Sequence, residues 1–175
     1  MNKPLNCPPI SGQYEEIIFD LADLWHGQNW HYVLFTTSDG NEWCGHFREK
    51  DSNNFLLAEL TDKNIACIVS GGHGYIIDID KKEKIKELDR NMITSLASDN
   101  LSSSFIISTY LGIYRIDNNY NLTEINLPIQ VDGIYFIDTI DQKLLLDIEE
   151  IGADMKHNKD YYIDLNDWNI KKHRA

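Results

Sequence analysis

Cys44-Gly45-His46 places a thiol and an imidazole two positions apart, and on a β-strand residues at that spacing share a face. A thiol paired with a base is a candidate nucleophile, because the thiolate attacks and the base generates it. The competing reading is a small apolar core residue, the commoner use of a free cysteine. Gly71-Gly72-His73-Gly74 is the second candidate, since successive glycines can aim backbone N–H groups at an anion. It lies between two apolar runs, where a glycine turn is expected anyway. His26, His31, His46, His73 and His157 show no His-x3-His or Cys-x2-Cys spacing, so no metal is expected. There is no Gly-x-Ser-x-Gly elbow, phosphate-binding loop or dinucleotide fingerprint. The expectation is a protein that is not an enzyme and needs no cofactor.

The acidic residues carry more. Asp plus Glu number 28 against 16 Lys plus Arg, a formal net charge of -12. Such a surface repels phosphate backbones, which excludes nucleic acid as the expected partner, and attracts basic proteins. Two clusters stand out. Glu16, Asp20 and Asp23 fall on one face of an expected helix. Asp147, Glu149, Glu150 and Asp154 gather in and before a polar stretch expected to be a long loop, 149–160. Carboxylates on a rigid scaffold mimic phosphates and steer a basic partner to rapid encounter. Trp43, Tyr161 and Trp168 are candidate aromatic anchors or core residues, and Trp168 joins the expected binding set.

These side chains must be positioned by a repeated element. Ile79-Asp80-Lys81-Lys82-Glu83-Lys84-Ile85-Lys86-Glu87-Leu88 returns without a gap as Ile116-Asp117-Asn118-Asn119-Tyr120-Asn121-Leu122-Thr123-Glu124-Ile125. A looser third copy runs from Tyr162 to Ile170. Each reads as strand, polar turn, strand. The expected fold is mainly β: antiparallel hairpin repeats over 30–170, either propeller-like or as twisted meander sheets, in one domain over 1–175. Residues 1–12, with three of the four prolines, read as an extended leader. Residues 13–27 read as one N-terminal helix, with Tyr14, Ile17, Ile18, Leu21, Leu24 and Trp25 as its apolar stripe. Ser38-Asp39-Gly40-Asn41 and Asp141-Gln142 are expected hairpin turns. The unit resembles a β-propeller blade, and about four would fill the chain.

Three widely spaced cysteines, Cys7, Cys44 and Cys67, do not read as a disulfide framework. No signal peptide or membrane-length apolar run is visible, so a cytoplasmic protein without membrane contact is expected. In length, acidity and lack of catalytic motifs the chain is similar to bacterial immunity proteins, which neutralise toxins delivered between cells. That resemblance implies an inhibitor that covers the active or substrate-binding surface of a basic toxin, often a nuclease, encoded next to it. Glu16, Asp20, Asp23, Asp147, Glu149, Glu150, Asp154 and Trp168 are the expected contact residues. The alternatives are a repeat-type scaffold or small-ligand binder, and a thiol hydrolase using Cys44.

Overall fold

The computed structural model describes residues 2–19, 29–50, 52–151 and 157–172. The described chain is built of β-strands in four four-stranded sheets, and it divides into two compact units, Met1–Asn91 and Met92–Ala175.

The first unit contains β1 (Lys3–Leu5), β2 (Glu15–Ile18), β3 (Trp30–Thr36), β4 (Glu42–Arg48), β5 (Phe55–Leu60), β6 (Ile65–Ser70), β7 (His73–Asp78) and β8 (Glu83–Glu87). A single 3-10 turn, Thr61–Lys63, joins β5 to β6. β5 to β8 form an antiparallel meander in chain order. The first sheet differs: its order is β1-β3-β4-β2, and β2 runs parallel to β4. The β3–β4 hairpin is thus flanked on both edges by strands from the preceding segment.

The helix expected over 13–27 is not present where the chain is described. Glu15–Ile18 is a strand, while 20–28 lie outside the described residues. The apolar pair Ile17-Ile18 and the open edge of β4 explain the difference. Pairing Glu15↔Trp43 through Ile18↔His46 satisfies the backbone of a sheet edge, which local helix bonds cannot do. Glu16 therefore sits on a strand, and the helix face it was expected to share with Asp20 and Asp23 does not form around it.

Residues of both sheets make the core of this unit: Val33, Phe35, Trp43 and Phe47 meet Ala66, Ile68, Tyr75 and Ile77. Trp43 stacks on Phe35, with centroids 4.5 Å apart, and its indole N–H donates to the Ile79 carbonyl at 3.0 Å.

The second unit contains β9 (Ser95–Asp99), β10 (Ser104–Ser108), β11 (Ile113–Ile116), β12 (Leu122–Ile125), β13 (Val131–Ile140), β14 (Lys143–Glu150), β15 (His157–Asp164) and β16 (Asn169–Lys172). β9 to β12 form one meander and β13 to β16 the next. Ile106, Ile113 and Ile125 of the one pack with Ile134, Leu144, Leu146, Ile148 and Ile163 of the other. The loop expected over 149–160 is shorter, since β14 runs to Glu150 and β15 begins at His157. The cross-strand pair Glu149↔His157 keeps these polar residues in the ladder.

The repeated segment lies on the last hairpin of a meander in all three copies: β7–β8, β11–β12 and β15–β16. Its turns share one device. Gly40, Lys82, Tyr120 and Trp168, each just before a returning strand, take left-handed φ values of 85°, 59°, 62° and 60°. In the β3–β4 turn Gly40 N–H donates to Thr37 O, and Thr37 N–H donates to Asn41 O. In the β11–β12 turn Tyr120 N–H donates to Asp117 O, and Asp117 N–H donates to Asn121 O. This is a three-residue loop closed by a left-handed residue, not the two-residue turn that Asp39-Gly40 suggests. Asp141-Gln142 and Gly71-Gly72 do form two-residue turns, with both φ values positive.

The aspartates of these turns accept local amide protons. Asp164 receives Lys171 Nζ at 2.7 Å, Asn166 Nδ2 at 3.0 Å and Asn166 N–H at 3.1 Å. The Lys171 hydrogen bond, then those from Asn166, hold its carboxyl below the usual range, at about 2. A carboxyl lowered in the folded state stabilises above its unfolded pKa and loses that contribution as pH falls through the folded value. The urea midpoint should therefore drop between about pH 4 and about pH 2. Asp164→Asn should lower the neutral-pH midpoint and make the acid limb shallower; an unchanged acid limb would remove Asp164 from this account.

Candidate functional site

Cys44 and His46 share one face of β4, as their spacing predicts, and Trp43 and Phe47 occupy the other. Burial works against the thiolate that a nucleophile needs. Cys44 is fully buried, and burial first, with Glu16 second, pushes its thiol up to about 11. The His46 ring faces other partners. It meets Tyr32 edge-on at 4.9 Å, and its Nε2 lies 3.2 Å from Glu16 Oε2 without hydrogen-bond geometry. Burial lowers its pKa, against the opposing pull of Glu16. Cys67 is also buried, and burial raises its thiol. We expect iodoacetamide at neutral pH to modify the exposed Cys7 alone in the native chain and all three cysteines in urea, as read by intact mass. Native labelling of Cys44 would reverse this reading.

Gly71-Gly72 is the tight turn between β6 and β7, with φ values of 59° and 83°. Its chemistry is that of a turn: Gly71 N–H donates to Asn54 O at 2.9 Å. His31 Nδ1 lies 2.8 Å from Ser70 Oγ, which is committed in turn to the Arg48 carbonyl. Among the described residues no group of three or more His, Cys, Asp or Glu is arranged to hold a metal ion. No helix among them is long and apolar enough to cross a membrane.

The late acidic cluster forms a network on β14 and β15. Leu144, Leu146 and Ile148 point into the core, so the alternate residues Asp147 and Glu149 occupy the opposite face. The His157 ring lies between them, Nδ1 3.1 Å from Asp147 and Nε2 3.1 Å from Glu149. Lys159 adds a contact to Asp147 at 3.6 Å, and Glu150 accepts from Asn158 Nδ2 at 2.8 Å. Tyr135 pairs with Asp147 across β13–β14, and its phenol pKa is raised by burial, then by Glu149, Tyr110, Asp147 and Asp132. Two tyrosines and three carboxylates therefore share one neighbourhood. Asp154, like Asp20 and Asp23, lies outside the described residues, and Glu16 belongs to the first unit.

Trp168 is half-buried in the β15–β16 turn and packs against the core of its unit. The Arg115 guanidinium lies over its ring, 3.9 Å from the centroid, a cation–π contact. Arg115 Nε donates to Ser104 Oγ at 3.1 Å. The pair floors a recess of about 270 Å³, bordered also by Asp117, Thr123, Asn126 and Asn169. Arg115 is absent from the residues singled out by spacing or charge runs. The available signal was its register: it lies two residues from the buried Ile113, hence on the inward face of β11, where a charge needs a reason.

No protein-family model matches the chain, and no curated protein matches it. Among solved structures it is similar to one described as the N-terminal domain of Nup159, with 12% identity and a TM-score of 0.46. The match covers 69% of this chain and 34% of that one, so the chain spans about a third of that neighbour's length. A likeness at this level defines no family.

Proposed function

We propose that this chain acts by binding a basic protein, as an immunity-type inhibitor that covers the active or substrate-binding surface of a cognate toxin, most naturally a nuclease. The observation that carries this reading is the face of β13 and β14 opposite the core, where Asp147 pairs with Tyr135 and Glu149 follows two residues on, with Asp132 and Tyr110 close enough for their charges to act on the Tyr135 phenol. Carboxylates held in place by a sheet steer a cationic partner, and tyrosines supply contact area at low entropic cost. The net charge of -12 adds a long-range attraction of the same sign. His157 and Lys159 already contact these carboxylates, so an incoming lysine or arginine would compete with them for Asp147 and Glu149.

The test is capture of the protein encoded by the adjacent reading frame on the tagged chain, with salt titrated on the complex. We expect a stoichiometric complex that weakens steeply with salt, and protection of cells expressing that neighbour. Asp132→Asn, Asp147→Asn and Glu149→Gln together should weaken capture at least about tenfold and flatten the salt dependence, with the thermal transition confirming the fold. Unchanged capture by the triple variant would move the binding surface elsewhere, and no capture at all would remove the immunity reading.

A further inference from the structure

We propose that the recess floored by Arg115 and Trp168 binds the carboxylate of a small organic acid. The inference stands apart from toxin binding and rests on three features of this recess.

The first is a guanidinium held in place with its donors unused. The contact with the Trp168 ring and the Nε bond to Ser104 hold Arg115 in place. Among the described residues neither of its two Nη groups has a hydrogen-bond or ion-pair partner. The neighbouring Asp117 feels the charge of Arg115 but gives its Nη groups no hydrogen bond. Its Oδ1 accepts Asn119 N–H and Asn121 N–H, each at 2.8 Å, and its Oδ2 accepts Asn121 Nδ2. A fixed fork of unused N–H donors is the geometry that matches a carboxylate with two parallel hydrogen bonds.

The second is the set of donors around the fork. Thr123 pairs with Arg115 across β11–β12, and Asn126 lies just beyond β12; both border the recess. Neither side chain has a hydrogen-bond partner among the described residues. A few convergent polar groups in a concavity are what fixes a ligand's orientation.

The third is placement. The left-handed turn residue, Gly40, Lys82 or Tyr120 in the other hairpins, is here Trp168, with φ at 60°, so the turn sets an indole against the guanidinium.

Size and charge narrow the ligand. About 270 Å³ falls just below the roughly 300 Å³ at which sites for drug-sized molecules begin, so the ligand is smaller. Asp117 and Glu124 border the recess, and their charges disfavour a doubly charged phosphate more than a singly charged carboxylate.

The experiment uses the full chain, labelled with nitrogen-15, and follows the Arg115 Nε–H and Trp168 indole N–H signals. Acetate, benzoate and inorganic phosphate are titrated at matched ionic strength, with chloride as control. A capped tripeptide carrying one glutamate presents the same carboxylate on a peptide. We expect saturable shifts at both signals with acetate or benzoate, and binding at least tenfold weaker in Arg115→Lys, followed there by the indole signal. That variant keeps the charge and loses the fork, and the remaining backbone signals report whether it is folded. Shifts that stay linear with concentration, or equal binding by the lysine variant, would overturn the site. Tighter binding of phosphate would overturn the ligand class. Tenfold tighter binding of the peptide would assign the recess to a partner's side chain instead of a free acid.

Discussion

Trp43→Ala should destabilise the chain by about 3–5 kcal/mol, the range for deleting a large aromatic from a packed core. Trp43 is fully buried, stacked on Phe35, and reached edge-on by Phe19 at 6.0 Å. Its removal leaves a cavity among residues of both sheets of the first unit. It also removes the donor to the Ile79 carbonyl, on which the turn into β8 depends for a partner from the other sheet. Trp43→Phe separates the two terms. It keeps most of the ring contact and loses the N–H, so its cost should be about 1–3 kcal/mol. Urea unfolding of the three proteins side by side measures both. Equal losses for the two variants would show that the hydrogen bond, not the packing, accounts for the effect.

The second large effect is at Gly71. Its φ of 59° is left-handed, and a side chain there costs about 1 kcal/mol from backbone sterics alone. A Cβ would also fall 2.2 Å from the Lys50 backbone nitrogen and 3.0 Å from the Ser52 carbonyl oxygen. Backbone cannot rotate aside as a side-chain tip can, so the segment after β4 would have to move away from the β6–β7 turn. We expect Gly71→Ala to cost on the order of 3 kcal/mol in all, adding the overpacking penalty to the conformational one. Gly40→Ala is the control, because Gly40 is equally left-handed, with φ at 85°, but has nothing within 4 Å. The difference between the two unfolding free energies is the crowding term, and equal values would refute it.

The hairpins were readable because their signal is local. Alternating apolar residues, turn residues and a repeated spacing state the same strand–turn–strand unit, and β7–β8, β11–β12 and β15–β16 follow it. The N-terminal strand was not readable, because Glu15–Ile18 carries a helical stripe. What makes it a strand is the edge of β4, which is remote in sequence. For Cys44 and His46 the shared face followed from spacing, but their chemistry depends on burial, which no spacing expresses. The late acidic cluster was visible as charge, whereas its partners His157 and Lys159 come from the next strand. Arg115 and Trp168 are 53 positions apart and meet only once two sheets have packed.

The order of strands in the first sheet bears on how the chain is made. The ribosome releases Lys3–Leu5 and Glu15–Ile18 before Trp30–Arg48, yet neither has a partner until that hairpin has emerged. The other three sheets are meanders, so each strand after the first meets a neighbour already outside the exit tunnel. These two segments therefore wait as extended chain, with Ile17 uncovered, while later hairpins can close as they appear. A pause in translation before residue 48 would prolong that exposure, and one after it would not.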